Sequence, residues 1–75
     1  MPDKEWQDRV KGILKAELKR RNVSYRQLSD RLADMGIHEG EKNIRNKISR
    51  GGFSAVFLIQ CLVAAGCQTV RLLED

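Results

Sequence analysis

Residues 51–70 carry no charged side chain, although the rest of this 75-residue chain holds 14 Lys and Arg and 10 Asp and Glu. Such a run has to leave water. Three glycines (Gly51, Gly52, Gly66) and two glutamines (Gln60, Gln68) interrupt it. Its densely apolar part, Phe53 to Ala65, is shorter than the roughly 20 residues a membrane-spanning helix needs. The remaining solution is a helix inside a protein core, running from about Ser54, a good N-cap, to Ala65. Along it Val56, Phe57, Leu58, Ile59, Leu62 and Val63 surround the axis instead of forming one stripe. A helix that is apolar all round is either central in the core or shares its second face with another chain.

The segments before it read as three more helices. From about Glu5 to Arg21, Trp6, Val10, Ile13, Leu14 and Leu18 recur at intervals of three and four, giving one apolar stripe. Lys19, Arg20 and Arg21 fall in its last turn, where positive charge suits the helix dipole, and Asn22 is the expected stop. Ser24 then caps a second helix, with Gln27 completing a capping box and Val23 and Leu28 placed as a hydrophobic staple. Leu28, Leu32 and Met35 supply its buried face, and Gly36 ends it. A third helix spans roughly Gly40 to Arg50, with Ile37 leading in and only Ile44 and Ile48 as anchors. The expected core is Trp6, Leu14, Leu18, Leu28, Leu32, Ile44, Ile48, Phe57 and Leu62.

These elements make an all-α fold, a compact bundle of four to five short helices in a single domain over residues 1–75. Residues 1–4 are expected to be disordered, and 67–75 to form a short strand, a last turn or a frayed tail. At this size a chain buries only about 60% of the surface its unfolded form exposes, so packing has to be efficient.

Net charge is +4, which invites a polyanionic partner without defining one. Its placement says more: Lys42, Arg45, Lys47 and Arg50 lie within residues 42–50, with no acid among them. Cys61 and Cys67 are the only cysteines and sit in apolar surroundings, the behaviour of small buried hydrophobes. Two cysteines, and no secretory leader at the start of the sequence, fit a cytoplasmic protein. The one histidine, His38, stands beside Glu39 in a predicted loop and lacks the further ligands a metal site would require. The acids are scattered like a solvated surface. No enzyme, metal site or cofactor is expected, nor any membrane association.

Chemistry concentrates on the third helix. Placing residues 100° apart sets Lys42, Asn46, Ser49 and Arg50 opposite the two isoleucines, with Asn43 and Arg45 at the edges. A DNA major groove, about 12 Å wide, admits one helix whose outward face carries hydrogen-bonding side chains, and Asn and Arg can pair with base edges. Phosphates call for Lys and Arg around the rim and for N–H groups at a helix N-terminus, such as Ser24, Tyr25 and Arg26 offer. A short basic helix on a narrow apolar stripe is equally what a solvated surface helix looks like.

The run ILKAELKRRNVSYRQLSDRL, Ile13 to Leu32, resembles the first two helices of the lambda-repressor-like (XRE-type) helix-turn-helix family. NIRNKISRGGFSAVFLIQCLVAAGC, Asn43 to Cys67, is similar to that family's third helix, the Arg-Gly turn after it and its apolar fourth helix. Within NKISRGGFS it resembles a small bacterial group of such domains with no established function. The resemblance implies a small transcriptional regulator binding double-stranded DNA as a homodimer. Lys42, Asn43 and Asn46 would then face base edges, and Ser24, Arg26, Arg45, Lys47 and Arg50 would face phosphates. The chain departs from the pattern at Gly36–Glu41, a longer and more acidic connection in which Glu39 and Glu41 would repel phosphates. The alternative is a non-enzymatic protein-interaction module on the same scaffold with no DNA binding.

Overall fold

The structure, a computed structural model, describes residues 3–73. Four helices follow one another: α1 (Asp3–Arg20), α2 (Tyr25–Asp34), α3 (Glu41–Arg50) and α4 (Ala55–Ala64). No strand occurs among the described residues, and 67–73 are irregular. Only the first turn of α1 extends past expectation. Asp3 and Lys4 belong to it, with Asp3 and Glu5 placed where acids complement the helix dipole. Met1 and Pro2, at the start of the stretch expected to be disordered, lie outside the described residues, as do Glu74 and Asp75.

Helix ends follow from local chemistry. The Ser24 hydroxyl accepts the Gln27 N–H at 3.1 Å while the Gln27 side chain accepts the Ser24 N–H at 2.9 Å, the reciprocal capping box. Ser54 caps α4 in the simpler way, accepting from the Phe57 N–H at 3.1 Å. Three helices then close identically. The N–H groups of Val23, Ile37 and Cys67 reach back to the carbonyls of Leu18, Leu32 and Leu62 at 2.8–2.9 Å. Left-handed residues Asn22, Gly36 and Gly66 make each closure possible. The returning residue is apolar each time, so each closure also folds a side chain back toward the core.

The core joins all four helices. Leu14 and Leu18 of α1, Leu28 and Leu32 of α2, Ile44 and Ile48 of α3, and Phe57, Cys61 and Leu62 of α4 are buried together with Val23 and Ala65. α1 and α2 each pack on both α3 and α4, whereas α3 and α4 do not pack side by side. The anchoring of α3 through Ile44 and Ile48, both 0% exposed, is as the spacing predicts.

Two residues expected to be buried, Trp6 of the core and Met35 of the inner face of α2, are not. Trp6 is 56% exposed, because the apolar stripe of α1 runs one turn further than the core beneath it; Arg9 lies over its ring at 4.8 Å. Met35 is 44% exposed because the chain leaves the helix there and turns at Gly36, so Ile37 packs inward instead.

One acid is buried. Glu17 accepts from Arg20 at 2.6 Å, Arg21 at 3.4 Å and the Cys67 thiol at 3.6 Å, joining the end of α1 to the segment after α4. Burial alone would raise its pKa. The Arg20 charge, with hydrogen bonds from Arg21, Cys67 and Arg20, outweighs burial and holds the carboxyl below its ordinary value.

Candidate nucleic-acid interface

α3 is held from both sides and open outward. Its C-terminus is closed by Gly51, and the Lys11 ammonium of α1 donates to the Ser49 carbonyl at 3.1 Å. Gly51 has φ 74°, and a Cβ there would stand 3.1 Å from the Gln7 carbonyl oxygen, so α1 and the α3–α4 turn meet backbone to backbone. The N-terminus starts from Gly40 without a side-chain cap, leaving its first N–H groups to solvent. The outward side chains are Lys42, Asn43, Arg45, Asn46, Ser49 and Arg50, all exposed.

The eight expected contact residues divide by what already holds them. Lys42, Asn43 and Asn46, expected at base edges, share the exposed surface of α3 and hold no hydrogen bond or ion pair among the described residues. Arg50 and Arg26 are likewise exposed and unpaired. Arg45 is different: it donates to Glu41 at 3.0 Å, and its guanidinium lies 5.7 Å from the Tyr25 ring centroid, tying α3 to the start of α2. Lys47 is the most committed of the set. Its ammonium meets the Glu39 carboxylate at 2.5 Å and lies 4.8 Å from the Phe57 ring centroid. The Ser24 oxygen is engaged in capping, which leaves its hydroxyl proton and the N–H groups of Tyr25 and Arg26 for an anion.

The long connection before α3 is thus part of the architecture. The Glu39 carbonyl accepts from Ser29 at 2.6 Å while its carboxylate holds Lys47, so the loop is fastened to both α2 and α3. This pair lies against the core near Cys61. Burial, and then the Glu39 charge, push that thiol up to about 12, with Lys47 acting in the opposite direction. Glu39 and Glu41, expected only to repel phosphates, are the internal counter-ions of Lys47 and Arg45.

Beside α3 lies a groove of about 450 Å³. Leu18 and Val23 form its floor, and Lys15, Lys19, Tyr25 and Arg45 stand around it. Lys15 and Lys19 hold no partner among the described residues. Lys19 also lies in the last turn of α1, where it suits the helix dipole. The spacing of four between the two lysines on α1, one turn apart, is the signal that places them side by side. Three or more His, Cys, Asp or Glu side chains grouped to hold a metal ion do not occur among the described residues, and no helix there is long and apolar enough to cross a membrane.

These features define a small four-helix domain with one polar, cation-rimmed helical face and no metal-binding cluster among the described residues. The chain belongs to the DUF6471 family, described as a domain of unknown function, whose model matches residues 6–70. No curated protein and no solved structure matches it.

Proposed function

We propose that this chain is a cytoplasmic, helix-turn-helix DNA-binding protein of the small bacterial regulator kind, acting on double-stranded DNA as a homodimer. α2 and α3 would be the paired helices, with α3 in the major groove. One observation carries the reading: Lys42, Asn43 and Asn46 lie together on the outward surface of α3 with no hydrogen-bond or ion-pair partner among the described residues. Neutral amides and a lysine at base edges give discrimination, while Arg26 and Arg50 flank them as phosphate contacts. Arg45 and Lys47 act as phosphate contacts only by exchanging Glu41 and Glu39 for the backbone. A two-fold dimer would multiply a weak single contact across two half-sites.

Titration of the purified protein with random-sequence duplex DNA at two salt concentrations tests this. Affinity that falls steeply with salt supports it, because released counterions report the phosphates contacted. Absence of binding at low salt overturns it. The second reading, a non-enzymatic protein-interaction module, is favoured by the compensation of Lys47 and Arg45 within the domain and by the apolar outer face of α4.

A further inference from the structure

Lys11, Lys15 and Lys19 stand in one file along α1, each four residues from the next. Like charges at that spacing repel and weaken a helix. Lys11 is relieved by Asp8 at 3.9 Å and by the Ser49 carbonyl at 3.1 Å. Lys15 and Lys19 have no acid three or four residues away on either side. Both are exposed and hold no hydrogen bond or ion pair among the described residues. The helix dipole accounts for Lys19 in the last turn but not for Lys15.

Both lysines border the groove of about 450 Å³ floored by Leu18 and Val23. Half-buried Tyr25 adds a wall, with the Arg45 guanidinium 5.7 Å from its ring centroid. The acid lining the groove, Glu41, is the ion-pair partner of Arg45. Three cations against one acid leave a net charge of +2 around an apolar floor.

We propose that this groove binds an acidic peptide segment of a partner protein. One large apolar side chain of the segment sits on Leu18 and Val23, and its carboxylates meet Lys15 and Lys19. The combination of floor and rim selects this occupant. A nucleic-acid backbone uses the lysines and leaves the apolar floor and the tyrosine wall without a counterpart. An acidic segment with an apolar anchor uses both, and an anchor buried inside a charged rim is where binding energy concentrates. Ammonium groups on flexible stems adapt to carboxylates spaced along an extended chain. A basic segment is repelled, and an uncharged one covers the lysines without pairing them. Of the eight expected DNA contacts only Ser24 and Arg45 line the groove, so the inference goes beyond the DNA reading and needs none of its base contacts.

Fluorescence anisotropy on the full chain tests it, with a fluorescein-labelled peptide carrying four acidic residues on each side of one central phenylalanine. The wild type should bind with a Kd on the order of 100 μM at low salt, as a small groove allows, and more weakly as salt rises. A glycine in place of the peptide's phenylalanine should weaken binding at least about fivefold, a comparison that needs no protein variant. The double variant Lys15→Gln, Lys19→Gln should weaken it at least about tenfold, with an unchanged helical circular dichroism spectrum. Lys42→Gln, Arg50→Gln, which removes the same charge from α3, should change it less than about twofold. Absence of saturable binding up to about 1 mM overturns the proposal, as does indifference to the phenylalanine. Equal losses from the two double variants overturn it too, because the peptide would then be reading net charge. If the wild type ignores the peptide while Lys15→Gln, Lys19→Gln loses affinity for random-sequence duplex, the lysines belong to a nucleic-acid contact and the proposal falls. Failure of the duplex titration would leave the peptide result standing, so the two readings fall separately.

Discussion

α3 and α4 are built to one plan and finished with opposite chemistry. Each has ten residues, each follows a residue in extended backbone, and each is pinned to the core by side chains four apart, Ile44 and Ile48 in one, Phe57 and Cys61 in the other. Outward, α3 presents Lys42, Asn43, Asn46 and Arg50, whereas α4 presents Ala55, Val56, Ile59 and Val63. Anchors fix where a helix lies and leave its outer face unconstrained. In a four-helix domain this small, what the two outer faces carry is therefore the more informative guide to partners.

The equivalence of the anchors is the first thing to break. Phe57→Ala should lose about 3–5 kcal/mol and Ile48→Ala about 2–5 kcal/mol, read from urea denaturation. In a domain whose total stability is of that order, either variant should be largely unfolded at 37 °C. Ile59→Ala on the outer face should cost less than about 1 kcal/mol. If Ile59→Ala proves as damaging as Phe57→Ala, α4 has no free face and the contrast with α3 collapses.

Acid should separate the two helices next. Glu17 is held below its ordinary pKa in the folded chain, so its contribution is present above the unfolded value near 4.5 and is lost as pH falls through the folded one. The Cys67 thiol that follows α4 donates to this carboxylate, while no residue of α3 does. As pH falls below about 4.5, amide protection at Ala65–Cys67 should therefore decline before that at Ile44–Ile48. Glu17→Gln should flatten this pH dependence. An identical pH profile in wild type and variant would show that the carboxylate does not fasten the end of α4.

On the α3 side, Asn46→Ala should cost about 1–3 kcal/mol on a preferred DNA site and little on random DNA. Arg50→Ala should weaken binding to all sequences and reduce the salt slope by about one ion. Lys47→Ala should do less than Arg50→Ala, because Glu39 already compensates its charge. Equal effects from the two would mean that Lys47 leaves Glu39 on binding.

Caps supply the smallest effects and the sharpest contrast. Ser54→Ala should destabilise α4 by about 1 kcal/mol. α3 begins at Gly40, whose φ of −73° and empty surroundings suit a side chain, so Gly40→Ser should stabilise it by a few tenths of a kcal/mol. Thermal midpoints of the two variants, moving in opposite directions, would check both.

Most of the fold was legible because it is written locally. The capping box at Ser24 and Gln27, the stops at Asn22 and Gly36, and the isoleucine pair of α3 each act within about one helical turn, where sequence separation and spatial contact coincide. Periodicity, by contrast, cannot tell where a core ends. Trp6 and Met35 sit on the apolar stripes of α1 and α2 but at positions the core does not cover, so their exposure is invisible to a helical wheel. The candidate interface was legible as an outward set and illegible in its pairings. Lys47 and Glu39 meet only because the loop after α2 folds back onto α3, and Glu17 meets Cys67 fifty residues away. Glu17 had one local mark, its position between Leu14 and Leu18 with arginines three and four residues on, which separates it from the scattered surface acids. Of the apolar residues surrounding the α4 axis, Val56, Ile59 and Val63 are left exposed.

The close approach at Gly51 has a consequence for anyone mapping this domain by saturation mutagenesis. Any side chain there would set its Cβ 3.1 Å from the Gln7 carbonyl oxygen, tighter than ordinary contact, while forcing an L-residue to hold φ at 74°, so the α3–α4 turn would be strained against α1. In a screen scored only by ligand capture, Gly51 would then rank beside the true contacts, although it touches nothing outside the chain. Scoring the same library for abundance as well would sort them: variants of Gly51 should vanish from both readouts, and those of Asn46 from one.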